Sequence, residues 1–369
     1  MIFEWTKLTL HKFIPVIWVP ALILIGGGAA EAYPGLTFET GGGYSSNLYA
    51  DSFSLGDSYL ISGFSFSDTE FKMTKLSLFY DLTYCQYDTR NSINQFNHFG
   101  GITLFRKQRG EKLRWGLEIA GTYRNYAEIN ADYNNYKIFA RGDASYNIKP
   151  GLQLKLLYQY SKSAYSGFEN LDHNQQLLES EIIKTFPSRT TARVRAQYLY
   201  RKFDYDASKA DWLDLELKLS QSIDIKTGVS GSGMIRFAGN GTRPISSYYF
   251  ISGITSYWDP WDGFQLNCEL KRIMPWGIIS VLDLSYWSRK YNYSDIQQSE
   301  LPWLSDSDSR LDHGWQIGLD INRQINLYNL FGRAVRLSLT PGYVSNSSDD
   351  YYYRYDYFYI QTSVKLDIF

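Results

Sequence analysis

The chain has 369 residues with 37 basic and 38 acidic side chains, so its formal net charge is only −1, which offers no case for nucleic acid as a partner. Two cysteines in this length exclude a disulfide framework. The unusual figure is an aromatic content of 17%, with 32 Tyr, 21 Phe and 10 Trp, residues suited to positions where one end of a ring is wet and the other apolar.

Lys7, His11 and Lys12 precede the apolar run FIPVIWVPALILI and then the small residues GGGAAEA. That order predicts a secretory signal peptide over residues 1–32, cleaved after Ala32, with a single domain over 33–369. The apolar run falls short of the roughly 20 residues that a spanning helix needs, and Pro15 and Pro20 interrupt it.

Beyond it, segment after segment alternates with a period of two. In LRWGLEIAGTYR, Leu113, Trp115, Leu117 and Ile119 oppose Arg114, Gly116, Glu118 and Ala120. In LQLKLLYQYS, Leu152, Leu154, Leu156, Tyr158 and Tyr160 oppose Gln153, Lys155, Gln159 and Ser161; in WLDLELKLS, four leucines oppose Asp214, Glu216 and Lys218. Helical spacing fits none of these. Short connections such as IKPG, PSRT and IKTG take turns with longer polar ones such as SGFENLD, DASKAD and the stretch 292–310. That rhythm predicts an up-and-down meander of antiparallel hairpins. About seventeen candidate strands can be marked; an even count and roughly 20 residues per strand with its connection give sixteen, within a range of 14 to 18. The weakest strand assignments fall in the Gly-rich stretch 228–277 and in the first hairpin, 36–66.

A soluble two-sheet sandwich shows the same alternation, with its leucines inside. Long strands, uniform alternation, aromatics near strand ends and a final strand ending on Phe369 favour the inverted arrangement, a transmembrane barrel closed because lipid forbids open sheet edges. The opening TGGGYSSNLYADSF, the aromatic and basic strand ends and the closing YFYIQTSVKLDIF resemble bacterial outer-membrane β-barrels of the porin-like kind. The resemblance implies an all-β barrel in the bacterial outer membrane. It also implies a terminal strand read by the insertion machinery and passage of small hydrophilic solutes. The chain departs from that family in one respect: Ile360, Val364, Leu366 and Ile368 are out of phase with Phe369.

With the leucine face towards lipid, the opposite face lines the interior. The candidates for lumen or constriction are Arg114, Glu118, Arg124, Arg141, Asp143, Glu179, Glu181, Arg193, Arg195, Arg201, Asp214 and Glu216. Glu179 and Glu181 are expected across a turn from Arg193 and Arg195, and Arg201 near Asp214, as a ladder of opposite charges. That ladder either satisfies charges on a wall or, as the resemblance implies, sets a transverse field at a constriction. Trp303, Asp306 and Asp308 are candidates in an external loop. A calcium site at Asp306, Asp308 and Asp312 lacks the glycine and distal glutamate of a dedicated loop, so no metal or cofactor is expected. His98, His173 and His313 suggest no enzyme, because Asp172-His173 and Asp312-His313 point to opposite faces of a strand. Cys85 is expected to face the lumen and Cys268 lipid, so that the two do not pair. A non-conducting surface scaffold or adhesin, acting through its loops, is the alternative function.

Overall fold

The computed structural model describes residues 35–47, 56–69, 74–89, 93–107, 112–126, 131–132, 134–204, 209–239, 261–292, 309–327 and 333–367. Sixteen strands run in chain order: β1 (Gly35–Ser45), β2 (Asp57–Thr69), β3 (Thr74–Tyr87), β4 (Gln95–Lys107), β5 (Leu113–Tyr126), β6 (Asn135–Lys149), β7 (Leu152–Tyr165) and β8 (His173–Thr185). They continue as β9 (Thr190–Phe203), β10 (Lys209–Ser222), β11 (Thr227–Ala238), β12 (Asp262–Ile273), β13 (Ile278–Asn292), β14 (Ser309–Leu327), β15 (Arg333–Ser348) and β16 (Tyr355–Asp367). Each strand pairs antiparallel with its sequence neighbours, and β1 pairs with β16, so one sheet closes on itself. Closure removes both edges and with them every unpaired ladder. A two-sheet sandwich is thereby excluded.

Strand lengths of 11 to 19 residues meet or exceed the roughly 9 to 11 of a tilted spanning strand. The connections differ at the two ends. β6 and β7 turn through two residues at Pro150 and Gly151, Gly151 adopting the left-handed φ of +72° that favours glycine. β10 and β11 turn through Ile223 to Lys226, where Asp224 accepts the backbone N–H of Lys226 at 2.5 Å and of Thr227 at 2.7 Å. The opposite end carries the longer connections, among them 166–172 and 293–308. The first hairpin is β1 with β2, and the described residues of the Gly-rich stretch belong mainly to β11 and β12. The predicted signal peptide, residues 1–32, lies outside the described residues.

Alternation turns one parity of each strand outward. Ile119, Ile138, Leu178 and Val194 are 66, 57, 54 and 54% exposed, on the face opposite the charges of the same strands. On that outer face rings meet near the long-loop ends: Tyr84 stacks on Phe96 at 4.3 Å between centroids, Trp315 lies 5.2 Å from Tyr343, and Tyr44 lies 5.5 Å from Phe358. A water-soluble chain does not leave so many leucines and isoleucines on its surface in one continuous band.

Candidate functional site

The inner wall is built from the other parity. Register fixes which side chains meet: β8 sets Glu181 opposite Arg195 of β9, and β9 sets Arg195 opposite Glu216 of β10. Arg193 reaches Glu181 at 3.1 Å and Glu216 at 3.5 Å; Arg195 reaches Glu216 at 2.6 Å and Glu179 at 3.7 Å; Lys155 of β7 adds a contact of 3.1 Å to Glu181. The expected ladder of Glu179, Glu181, Arg193 and Arg195 is therefore present, with Glu216 bridging both arginines. A second pair joins Glu118 to Arg141 at 2.6 Å across β5 and β6. Acids and bases alternate along the same arc of wall and neutralise one another locally.

One expected contact is absent. Arg201 does not meet Asp214: register places Ala210 opposite Arg201 and Gln197 opposite Asp214, four residues further along the strand, or roughly 13 Å at about 3.3 Å per residue. Arg201 donates to Gln175 at 2.9 Å and lies over the Trp212 ring at 5.6 Å. Asp214 is instead held by Arg236 of β11 through a bidentate fork, Nε at 2.6 Å and Nη2 at 2.8 Å, the geometry that suits a planar guanidinium to a carboxylate. Arg124 donates its Nε to Asn97 at 2.9 Å. Among the described residues Arg114 and Asp143 join no ion pair, and both lie towards the short-turn end of β5 and β6.

Near the long-loop end of β9 to β15 the wall carries a belt of arginines and rings. Arg236 lies over Trp212 at 5.0 Å and over Trp261 at 4.5 Å; Arg289 lies over Trp261 at 5.0 Å and Trp287 at 5.1 Å; Arg310 lies over Tyr291 at 3.8 Å and Tyr353 at 3.4 Å. Stacked guanidinium and ring gain from charge–quadrupole attraction, more so where water is excluded. The Trp287 indole donates to Asn346 of β15 at 3.0 Å, reaching across β14. It can do so because Gly314 stands between: a Cβ there would sit 2.2 Å from the indole. Such chords over an intervening strand belong to the concave side of a barrel.

The tail of the chain joins this belt. Tyr355, Tyr357 and Tyr359 form an inward ladder with centroids 6.0 and 6.2 Å apart, while Phe358, Ile360 and Val364 point outward. Further round, Phe79, Phe99 and Phe139 make an apolar patch on the inner wall, 5.0 and 6.3 Å apart. The sequence places aromatics at strand ends and on the outer face; this inner set, together with Arg236, Arg289 and Arg310, is not among the residues it singles out. The signal was available in the same period of two: Arg236 sits between Ile235 and Phe237, and Trp212 beside Leu213, on the polar parity.

Trp303, Asp306 and Asp308 lie outside the described residues. Asp312 is occupied by Arg310 at 3.2 Å and by the Ser348 hydroxyl at 2.6 Å, and among the described residues no cluster of three metal-ligating side chains occurs. Neither Asp-His dipeptide forms a dyad: Asp172 accepts the Tyr165 backbone N–H at 2.8 Å while the Nδ1 of His173 lies 2.8 Å from the Leu171 carbonyl, and His313 is exposed where Asp312 is buried. Cys85 is buried and Cys268 exposed, both free.

No protein-family model matches the chain, and no curated protein does. Solved structures do. Acinetobacter baumannii OccAB1 superposes with a TM-score of 0.56 at 10% identity, covering 93% of this chain and 98% of its own. The outer membrane protein OpdK of Pseudomonas aeruginosa gives 0.52 at 10% identity, covering 91 and 99%. CdiB from Acinetobacter baumannii gives 0.55 at 12% identity, covering 89% of this chain and 60% of CdiB. At these identities the likeness is one of fold: the closed antiparallel barrel of outer-membrane proteins.

Proposed function

We propose that this protein sits in the bacterial outer membrane as a passive pore for small hydrophilic solutes, after removal of residues 1–32 as a signal peptide and delivery by the insertion machinery. One observation carries the reading: sixteen strands close into a ring with leucines outward and ion pairs inward. An apolar band of this kind is stable only against hydrocarbon, and barrels of sixteen strands or more leave room for an aqueous channel. Likeness of fold to OpdK, an outer membrane protein, and to OccAB1 supports the same placement. The outward ring pairs near the long-loop ends then serve as the outer interfacial girdle.

In this reading Arg193, Arg195, Glu179, Glu181 and Glu216, with Glu118 and Arg141 on the neighbouring arc, form the charged stretch of the passage. Because acids and bases interleave along one wall, they give the lumen local dipoles in place of a field between opposite walls. A solute with both donors and acceptors is favoured over a bare hydrocarbon.

A second reading is a non-conducting scaffold that acts through its outer loops. It draws on the packing of the mouth, where Asn47, Arg310 and Trp261 are 1, 3 and 5% exposed. Purified protein in a planar bilayer separates the two. Stepwise conductance is expected; silence after verified insertion would overturn the pore and leave the scaffold.

A further inference from the structure

At the short-turn end, the connections of β8 to β13 form one rim. They run over residues 186–189, 223–226 and 274–277. Backbone bonds tie them together: the Ser222 N–H donates to the Arg189 carbonyl at 3.3 Å and the Ile273 N–H to the Lys226 carbonyl at 2.8 Å. On this rim Ile223, Ile225 and Trp276 are 62, 89 and 81% exposed, with Phe186 and Met274 beside them at 42 and 44%. Ile225 and Trp276 are the most exposed large hydrophobic side chains among the described residues. Trp276 also keeps a left-handed φ of +62°, a conformation that bulky residues rarely adopt.

Cations surround this apolar set. Lys184, Arg189, Lys226, Lys271 and Arg272 belong to the same turns and strand ends, and none of them joins an ion pair among the described residues. The acid of these turns, Asp224, has its carboxylate engaged by the backbone N–H groups of Lys226 and Thr227. At the opposite end, by contrast, Lys162 meets Asp204 at 3.7 Å and Arg310 meets Asp312 at 3.2 Å. The rim also continues the lipid-facing band. Phe186 follows Leu178 and Ile182 on one parity of β8, Ile223 follows Leu217 and Leu219 on β10, and Met274 follows Leu266 and Leu270 on β12. Hydrocarbon therefore ends at these turns and headgroups begin. Short turns of such barrels face the periplasm, so the headgroups are those of the inner leaflet. Unpaired Lys and Arg at that depth attract anionic lipid, and an indole suits the boundary between acyl chain and water. A soluble protein partner would reach the tips of the turns but not Phe186, Ile223 and Met274, which lie on the parity that hydrocarbon already covers.

We infer that this rim is a docking surface for anionic phospholipids of the inner leaflet, with Arg189, Lys226 and Arg272 meeting their phosphates and Ile225 and Trp276 seated in the interface. The inference rests on the membrane placement proposed above and not on conduction. To test it, the full barrel is reconstituted in phosphatidylcholine vesicles, and electron paramagnetic resonance compares the association of spin-labelled phosphatidylglycerol and spin-labelled phosphatidylcholine. Phosphatidylglycerol is expected to be preferred about two-fold or more at low salt, the ratio falling towards unity as salt is raised to about 1 M. Replacing Arg189, Lys226 and Arg272 together by Gln is expected to abolish the preference, whereas Arg189→Lys with Arg272→Lys keeps it. Replacing Lys162, Lys202 and Lys209 by Gln at the opposite rim is expected to leave it intact. The emission that Trp276→Phe removes is expected to be quenched by brominated phosphatidylglycerol. Equal association of the two lipids with the unaltered barrel, or a preference that survives the first triple variant with circular dichroism retained, would overturn the lipid surface. So would a preference lost on changing the opposite rim alone. Failure to enter the vesicles would overturn the membrane placement itself, and a silent barrel that still prefers phosphatidylglycerol loses only the pore.

Discussion

Asp214 and Glu216 lie two residues apart on β10 and face the same interior, yet they carry different loads. Asp214 is the carboxylate of Arg236, in a fork whose side chains are 6 and 18% exposed. Glu216 is shared by Arg193 and Arg195, each of which keeps a second acid, Glu181 at 3.1 Å and Glu179 at 3.7 Å. Removing one partner of a largely buried pair leaves an uncompensated charge, whereas a network redistributes its contacts. Asp214→Asn is therefore expected to destabilise the barrel by about 2 to 4 kcal/mol, towards the lower part of the range for buried pairs because Arg236 is partly wetted. Glu216→Gln is expected to cost less, about 1 to 2 kcal/mol, because Arg193 and Arg195 are only partly buried and each keeps a second acid. Urea unfolding in detergent, followed by tryptophan fluorescence, measures both; equal losses would show that the two carboxylates are equivalent. The charges on β8 and β9 could be paired from the sequence because one short turn fixes their register; across the longer β9–β10 connection the expected Arg201–Asp214 contact does not form. Arg236 could not be assigned to Asp214, since the strand that bears it lies in a glycine-rich stretch with weak alternation.

At the scale of the strand and its connection, the β10–β11 turn is held by one side chain. Asp224 accepts backbone N–H groups from Lys226 and Thr227, and these bonds hold its carboxyl below the usual carboxylate range. A group whose folded-state pKa is depressed stabilises the fold at pH values above its ordinary pKa, and that contribution is lost as pH falls through the folded-state value. The turn is thus expected to keep its protection at neutral pH and to loosen under acid, below about pH 4. Amide-exchange protection over residues 222–228, compared at pH 6 and pH 3, reads the change. Asp224→Asn, which cannot titrate, is expected to remove the pH dependence, and a variant retaining it would point to another group. The turn itself was legible as IKTG, but the capping aspartate upstream of it was not, because only the fold brings its carboxylate over the two N–H groups.

For the molecule as a whole, the two cysteines report which way the wall faces. Cys268 shares its parity with Leu266 and Leu270, 51 and 41% exposed, and Cys85 is 6% exposed among inward residues. A pyrene group attached at Cys268, in a Cys85→Ala background and reconstituted in vesicles, is expected to lose most of its emission to brominated lipid. Water-soluble iodide is expected to have little effect. The reverse pattern would invert the barrel and remove the basis of the pore.

A period of two and the alternation of short and long connections are legible in the order of residues alone, and they give a barrel of about sixteen strands with its leucines outward. Those features depend on neighbours along one strand, where a side chain's facing follows from its parity alone. It takes the folded sheet to give Asp214 to Arg236, to turn the tail's tyrosines inward and to stack Trp261 on both Arg236 and Arg289. These contacts join strands whose relative register is set by closure of the whole sheet, through connections too long to fix it locally. A chain read one strand at a time carries no record of which residue ends up across the gap.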